Sequence, residues 1–348
     1  MENRAFVPSY FAGSFTGAGF NNLMSEALAG VKKIYIIKGT PGSGKSTLMK
    51  KIASAAETSG EKVERIYCSS DPNSLDGVVV PSMSFAIADG TAPHVMEASY
   101  PLAVETIVNT GDYVSSEKIE NRREEIISLS DSKKRLFEQA GLLLRSANAL
   151  NRLKMQICEE GYSAEKGFKY CMNVLQKEKS YKAEGTVIRR SCASFGKNGL
   201  TLLNSFPDAE KIYSVSNEFS PFVLGTLRLL AEEHKLSAIY SPSPFNVSDV
   251  ACVYFPESKR LFISSDLKND GERITFCRFE RKGAMKQRRE KLKFISKTEA
   301  LILSEARAYL SEAMEKHGEL EQIYVSALNR DGLDCLASSI VLSLLGDK

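Results

Sequence analysis

With 348 residues, 43% hydrophobic and 26% charged, the chain has apolar material for about two globular cores, which excludes a disordered, collagenous or coiled-coil class. Lys+Arg 46 against Asp+Glu 43 leave a formal net charge of +3, a balance that argues against a dedicated nucleic-acid binder. Seven scattered cysteines without a C-x-x-C pair and three mutually distant histidines suggest reduced, buried thiols rather than a disulfide framework or a metal cluster.

The opening stretch MENRAFVPSYFAGSF has neither a basic nor an apolar leader region, and no run approaches about 18 apolar residues. The expectation is a cytoplasmic chain with no secretory signal and no membrane span. A β-prone run, Ile34–Ile37, then enters a Gly-rich turn and continues as a helix with Leu48, Ile52 and Ala53 at helical spacing. The turn, Gly39-Thr40-Pro41-Gly42-Ser43-Gly44-Lys45-Ser46, is a full G-x-x-x-x-G-K-[ST] match, which chance gives in about one chain in a hundred of this length. Its glycines let backbone N–H groups converge on phosphate oxygens, and the helix that follows adds its N-terminal partial charge. Lys45 is placed to bridge the β- and γ-phosphates and the Ser46 hydroxyl to ligate Mg²⁺, with Thr47 closing the phosphate-binding segment.

Further strands are expected at Glu61–Cys68 and at Met83–Ala88, the latter ending at Asp89. Strands alternating with helices imply a parallel sheet whose ligands gather at the carboxyl ends, where Asp71 and Asp89 lie. Asp89 reads as the acid that orients Mg²⁺ or its water, with a turn or cap role as the alternative. Asp71 and Asp76, in SSDPNSLDG, read either as turn formers or as functional residues, a general base or a substrate hydroxyl anchor. His94 either polarises a phosphate or satisfies loop backbone. Gly90 stands directly after Asp89, where many hydrolytic phosphate-loop enzymes carry a water-activating Glu.

Helical periodicity continues from Ser116 to Gln176, and the acid–base mix on these helices reads as a solvated face. The second half repeats the first in order. Lys33-Ile34-Tyr35 recurs as Lys211-Ile212-Tyr213, displaced by 178, and Ile66-Tyr67 as Ile239-Tyr240, displaced by 173. Arg122-Arg123-Glu124 recurs as Arg288-Arg289-Glu290, displaced by 166. The reading is therefore two tandem α/β halves, residues 1–182 and 183–348, each a three-layer α/β/α unit with a parallel sheet followed by a helical segment. In the second half, Ser216-Asn217-Glu218-Phe219-Ser220-Pro221-Phe222-Val223-Leu224 replaces the phosphate loop. The motif glycines and lysine are gone and a Glu has entered, so nucleotide binding is expected only in the first half.

The stretches YFAGSFTGAGF, IIKGTPGSGKSTLMKKI, YCSSDPNSLDGVVVP and DGTAPH resemble the uncharacterised bacterial P-loop ATPases built from two homologous halves, and the likeness covers nearly the whole chain. It implies ATP and Mg²⁺ but no substrate. The Phe11–Gly19 segment, with its counterpart Cys192–Gly199, is expected near the nucleotide or the partner half. Arg189 and Arg190 are either a finger reaching the first half's site or exposed surface residues.

The leading functional expectation is Mg-dependent ATP hydrolysis at Gly39–Thr47, with Lys45, Asp89 and Asp71 as the catalytic set and Ser46 and Asp89 on the metal. Transfer of the γ-phosphate to a hydroxyl of an unidentified small molecule or protein, with Asp71 as base, is the second, and a non-enzymatic ATP-binding scaffold the third. The absence of an N/TKxD-like segment leans toward ATP over GTP. The basic run Arg281-Lys282, Lys286 and Arg288-Arg289 is flanked by acids, so a nucleic-acid partner is disfavoured.

Overall fold

The computed structural model describes residues 6–178 and 185–346. The expected boundary at 182/183 lies outside the described residues.

The first half runs β1 (Ser9–Phe11), β2 (Gly13–Thr16), β3 (Gly19–Asn22), α1 (Met24–Ala27), β4 (Lys33–Lys38), α2 (Lys45–Thr58), β5 (Glu64–Tyr67), β6 (Leu75–Val80), β7 (Phe85–Asp89) and β8 (Glu105–Asn109). Three helices follow: α3 (Ser116–Glu120), α4 (Arg123–Gly161) and α5 (Ala164–Glu178). The second half runs β9 (Val187–Arg189), β10 (Ala193–Gly196), β11 (Gly199–Leu202), β12 (Lys211–Val215), α6 (Ser220–Glu233), β13 (Ala238–Pro242), β14 (Val250–Phe255), β15 (Arg260–Ser264) and β16 (Glu272–Ile274). It ends with α7 (Ala284–Ser326) and α8 (Arg330–Leu345).

Two six-stranded sheets result, ordered β1-β5-β6-β7-β4-β8 and β9-β13-β14-β15-β12-β16. Strand for strand, the second order repeats the first. Each sheet is mostly parallel, with one antiparallel strand, β6 or β14, inserted in the middle. The sequence reading had no strand at Leu75–Val80, because Asp76-Gly77 looked like the end of a turn. All six residues of β6 are buried, and the run Val78-Val79-Val80 has the β-branched character a strand buried on both faces requires.

The strands alternate cleanly between two apolar clusters. Ile37, Val78, Val80, Phe85 and Ile87 face α2, whose Leu48, Met49, Ile52 and Ala53 recur at helical spacing. Ile34, Ile36, Val79, Ala86 and Ala88 point the other way, into a cluster shared with Ile239, Cys252, Tyr254, Leu261 and Ile263 of the second sheet. Each such Leu, Ile, Val or Phe side chain contributes about 1.5–3 kcal/mol of burial free energy. The expected three layers per half are therefore met on one face only. The other face of each sheet is turned toward its counterpart, giving helices, sheet, sheet, helices.

The long helices α4 and α7 run antiparallel. Arg288 pairs with Glu160 at 2.8 Å, Asn151 donates to Glu299 at 3.2 Å, and Ala140 and Leu144 share a cluster with Ala306 and Leu310. Each therefore ends at the half opposite to its origin. Beyond α4, α5 packs on the second half's α6, where Cys171, Val174 and Leu175 join Val223 and Leu227. Beyond α7, α8 packs on the first half's α2 through Ala337, Ile340 and Leu344. The halves exchange their C-terminal arms. A buried pair locks one arm: Arg260 of β15 donates from Nε to Glu178 of α5 at 2.7 Å, and both side chains are under a tenth exposed.

All seven cysteines are free thiols; four are buried, Cys68 is half-buried, and Cys277 and Cys335 are exposed. No helix among the described residues is long and apolar enough to cross a membrane.

Candidate functional site

Strand β4 delivers the chain to residues 39–44, and α2 starts at Lys45. Gly42 has φ +68 and Gly44, the residue before the helix, φ +82. An L side chain is strained in that left-handed region, and a Cβ on Gly42 would also lie 2.6 Å from the Glu321 carbonyl oxygen of α7. Ser43 is buried, with Oγ 2.8 Å from the Thr40 carbonyl and 2.8 Å from Thr110 Oγ1; Thr110 in turn donates to the Lys38 carbonyl at 3.1 Å. Thr40 and Pro41 complete the loop, half-buried.

Lys45 folds back over this loop, its Nζ donating to the carbonyls of Gly39 at 3.0 Å and Thr40 at 2.9 Å. It stands 3.7 Å from Asp89 Oδ2, both side chains largely shielded. The parallel pairing that sets Ile37 opposite Asp89 brings the carboxylate to the loop. Asp89 Oδ1 is itself held by the backbone N–H and the hydroxyl of Thr91, at 2.8 and 2.6 Å. Ser46 Oγ accepts from Leu75 N–H at 2.9 Å. The structure thus places Lys45 beside Asp89, while Ser46, next to Lys45 in the chain, meets the Leu75 amide. Thr47 faces outward, toward α8.

Asp71, in the β5–β6 connection, lies 3.0 Å from Lys197 Nζ. Lys197 belongs to the second half, at the tip of the β10–β11 hairpin. That hairpin lies on the residues just before Asp71: Ser194 Oγ donates to the Ser69 carbonyl at 3.3 Å, and a Cβ on Gly196 would sit 2.8 Å from the same oxygen. Burial alone would raise the Asp71 carboxyl, but the hydrogen bond and charge of Lys197 outweigh it and hold it below the usual carboxylate range.

The helix pair closes the site. Burial, then the charges of Lys133 and Lys45, push His317 of α7 down to about 4, so it is neutral at pH 7. Burial raises Glu321, one turn further on, and the Asp71 charge adds to this. Burial likewise lowers Lys133 of α4, with Lys45 pushing the same way. Three cations (Lys45, Lys133, Lys197), three carboxylates (Asp71, Asp89, Glu321) and a neutral imidazole thus converge at one loop. Titratable groups whose burial and mutual charges shift one another are often found at functional sites.

Sequence reasoning missed Lys133, Lys197, His317 and Glu321. Three of them sit on helices read as solvated faces; Lys197 lay within the segment matched to Phe11–Gly19, but nothing local marked it. The arginine reading is corrected. Arg189 is tied to Glu26. Arg190 is buried, its guanidinium 5.0 Å from the Tyr10 ring centre, and it donates to the Arg189 carbonyl at 2.7 Å. Neither is a finger, and Arg190 is not a surface residue. The first half's own hairpin, β2–β3, goes to the partner half, where Phe15–Gly17 line a small cavity with Pro244 and Phe245.

Asp76 is not a turn residue. It sits in β6, buried, with Oδ2 2.8 Å from His94 Nε2. His94 packs edge-on against Phe20, and its Nδ1 has no hydrogen-bond partner.

In the second half the loop between β12 and α6 shrinks to residues 216–219. Its last residue, Phe219, has φ −123, not the left-handed turn of Gly44. Phe219 is fully buried, and Tyr162 stacks beside it on Phe222 at 4.9 Å. An aromatic cluster packs this loop, whereas the matching loop of the first half turns through the left-handed Gly42 and Gly44.

Compared with family models, with curated proteins and with solved structures, the chain matches none.

Proposed function

We propose that the chain binds ATP with Mg²⁺ at Gly39–Thr47 and hydrolyses it there, in a site completed by the second half. One observation carries the reading: Lys45 stands at the start of α2, bonded to the loop carbonyls and 3.7 Å from Asp89. A left-handed Gly44 leads into the helix, so backbone N–H groups and the helix's positive end converge on one anion site. The two-half phosphate-loop family that the sequence resembles has the same expectation.

Ser46 Oγ and the Asp89 carboxylate are hard oxygen donors of the kind Mg²⁺ takes, usually alongside water and phosphate oxygens. The ion would supply charge neutralisation at the β- and γ-phosphates. Lys45 would hold those phosphates, and Lys197 and Lys133 add positive charge at the same end. Phosphoryl transfer needs little else from a protein than positioning and charge. Among the carboxylates, Asp71 is the poorer proton acceptor, because Lys197 keeps it ionised. Glu321, raised by burial and by the Asp71 charge and with its backbone carbonyl against Gly42 of the loop, is the carboxylate we assign as general base. It takes the place of the Glu missing after Asp89. That assignment favours water over a substrate hydroxyl at Asp71 as the acceptor.

The second half has lost its own phosphate loop and serves this site through Lys197, His317 and Glu321. In purified protein, Lys45→Ala is expected to abolish ATP turnover while wild-type protein releases inorganic phosphate with no added acceptor. Undiminished hydrolysis by the variant would sink the reading, and release only in the presence of a hydroxyl compound would turn it into phosphotransfer.

A further inference from the structure

A cavity of about 370 Å³ lies between α2 and α8, bordered by Gly42, Gly44 and Thr47 on the loop side. Its volume falls within the ~300–1,000 Å³ typical of small-molecule sites. Gly44, Thr47, Leu48 and Lys51, at helical spacing, share the face of α2 that borders it, whereas Lys45 and Ser46 do not line it. The phosphate loop therefore separates two regions. On one side are Lys45, Asp89, Asp71 and Lys197, where the γ end of a triphosphate is held; on the other is this cavity.

A loop that cradles the α- and β-phosphates in its backbone and holds the γ end with its lysine leaves one direction for the rest of the nucleotide. That direction is the rim at Thr47. Beyond it, Val325 and Leu328 from the end of α7 and Leu333 of α8 give apolar walls suited to the faces of a base. Leu333 packs so closely on the loop that a Cβ on Gly44 would be 2.8 Å from its Cδ1. At the mouth, Arg330 and the exposed Lys51–Asp334 pair offer donors and acceptors for a ribose or a base edge.

Resting on the ATP reading above, we propose that the nucleoside of the bound nucleotide, base and ribose, occupies this cavity. The arm donated by the second half then recognises the nucleoside, as its hairpin serves the γ end.

The test compares Mg-ATP with Mg-tripolyphosphate as ligands of the full chain by calorimetry. Wild-type protein should bind ATP at least about tenfold more tightly than tripolyphosphate. Val325→Trp fills the cavity from a partly exposed position and should weaken ATP about tenfold while changing tripolyphosphate by less than about twofold. The chain has no other tryptophan, so the introduced indole also reports directly: ATP should shift its emission and tripolyphosphate should not. Unchanged ATP affinity in the variant, or equal loss for both ligands, would overturn the nucleoside assignment and leave the phosphate loop standing. Failure of wild-type protein to bind either ligand would instead overturn the ATP reading, and this inference with it.

Discussion

If the first half hydrolyses ATP as proposed, a residue of the second half should control its turnover. Lys197 Nζ lies 3.0 Å from Asp71, with the two side chains 30% and 25% exposed. At an effective dielectric near 20 the raw attraction is about 5 kcal/mol. Desolvation and side-chain ordering offset most of that, and an exposure between surface and buried limits places the net contribution to folding near ~1 kcal/mol. Lys197→Met should therefore leave the melting temperature within about 3 °C of wild type. Its effect on chemistry should be larger, because in the proposed site this cation would face the charge that develops on the transferring phosphoryl group. Losing one such donor typically lowers kcat about 10²-fold, or ~2.7 kcal/mol. Steady-state phosphate release at saturating Mg-ATP should show that drop, with ATP affinity changed by less than about threefold. Lys197→Arg should recover part of the rate, and Arg189→Ala, whose side chain is engaged by Glu26, should leave it unchanged. A Lys197→Met enzyme turning over within about threefold of wild type would refute the claim that the hairpin completes the site.

Two further outcomes follow from the helices that cross between the halves. Glu178→Ala leaves the Arg260 guanidinium buried without its partner, so urea unfolding should show a loss of about 3–5 kcal/mol, and adding Arg260→Leu should restore part of it. His317 is pushed down to about 4 from its ordinary 6.5, so between those pH values the unfolded chain binds the proton more readily. Folding stability should therefore fall as pH drops from about 6.5 to 4, by no more than ~3 kcal/mol because the side chain keeps some solvent contact. His317→Gln should flatten that part of the stability-versus-pH curve; an unchanged slope would show that the imidazole is not held neutral.

The parts of this molecule legible in its sequence were those whose physics is local. Gly42, Gly44 and Lys45 announce themselves because the turn they make fixes both residue type and spacing, and Asp89 because an apolar run ends at it. The repeat was legible because short runs such as Lys33-Ile34-Tyr35 recur in order, and the matching strand orders of the two sheets are its structural counterpart. Strand β6 was hidden because Asp76 and Gly77 are ordinary turn residues whose burial depends on His94 and on neighbouring strands. Lys133, Lys197, His317 and Glu321 were hidden for a stronger reason. On their own elements they look like solvent-facing charges, and only the crossing of α4 and α7 and the placement of the hairpin bring them to Lys45.

The exchange of C-terminal arms has a consequence for the history and the autonomy of the halves. Two identical subunits that traded their last helices across a two-fold axis would have this connectivity, each site roofed by its neighbour. Joining two such subunits in one polypeptide fixes their stoichiometry and releases them from having to stay identical. One copy can then lose its phosphate loop to aromatic packing and keep its hairpin and arm as parts of the other's site. The same stitching means that a fragment ending after α5 would strip α8 from α2 and bare Leu48 and Ile52 to water. The first half's core is thus completed by the arm of the second, through Ala337, Ile340 and Leu344.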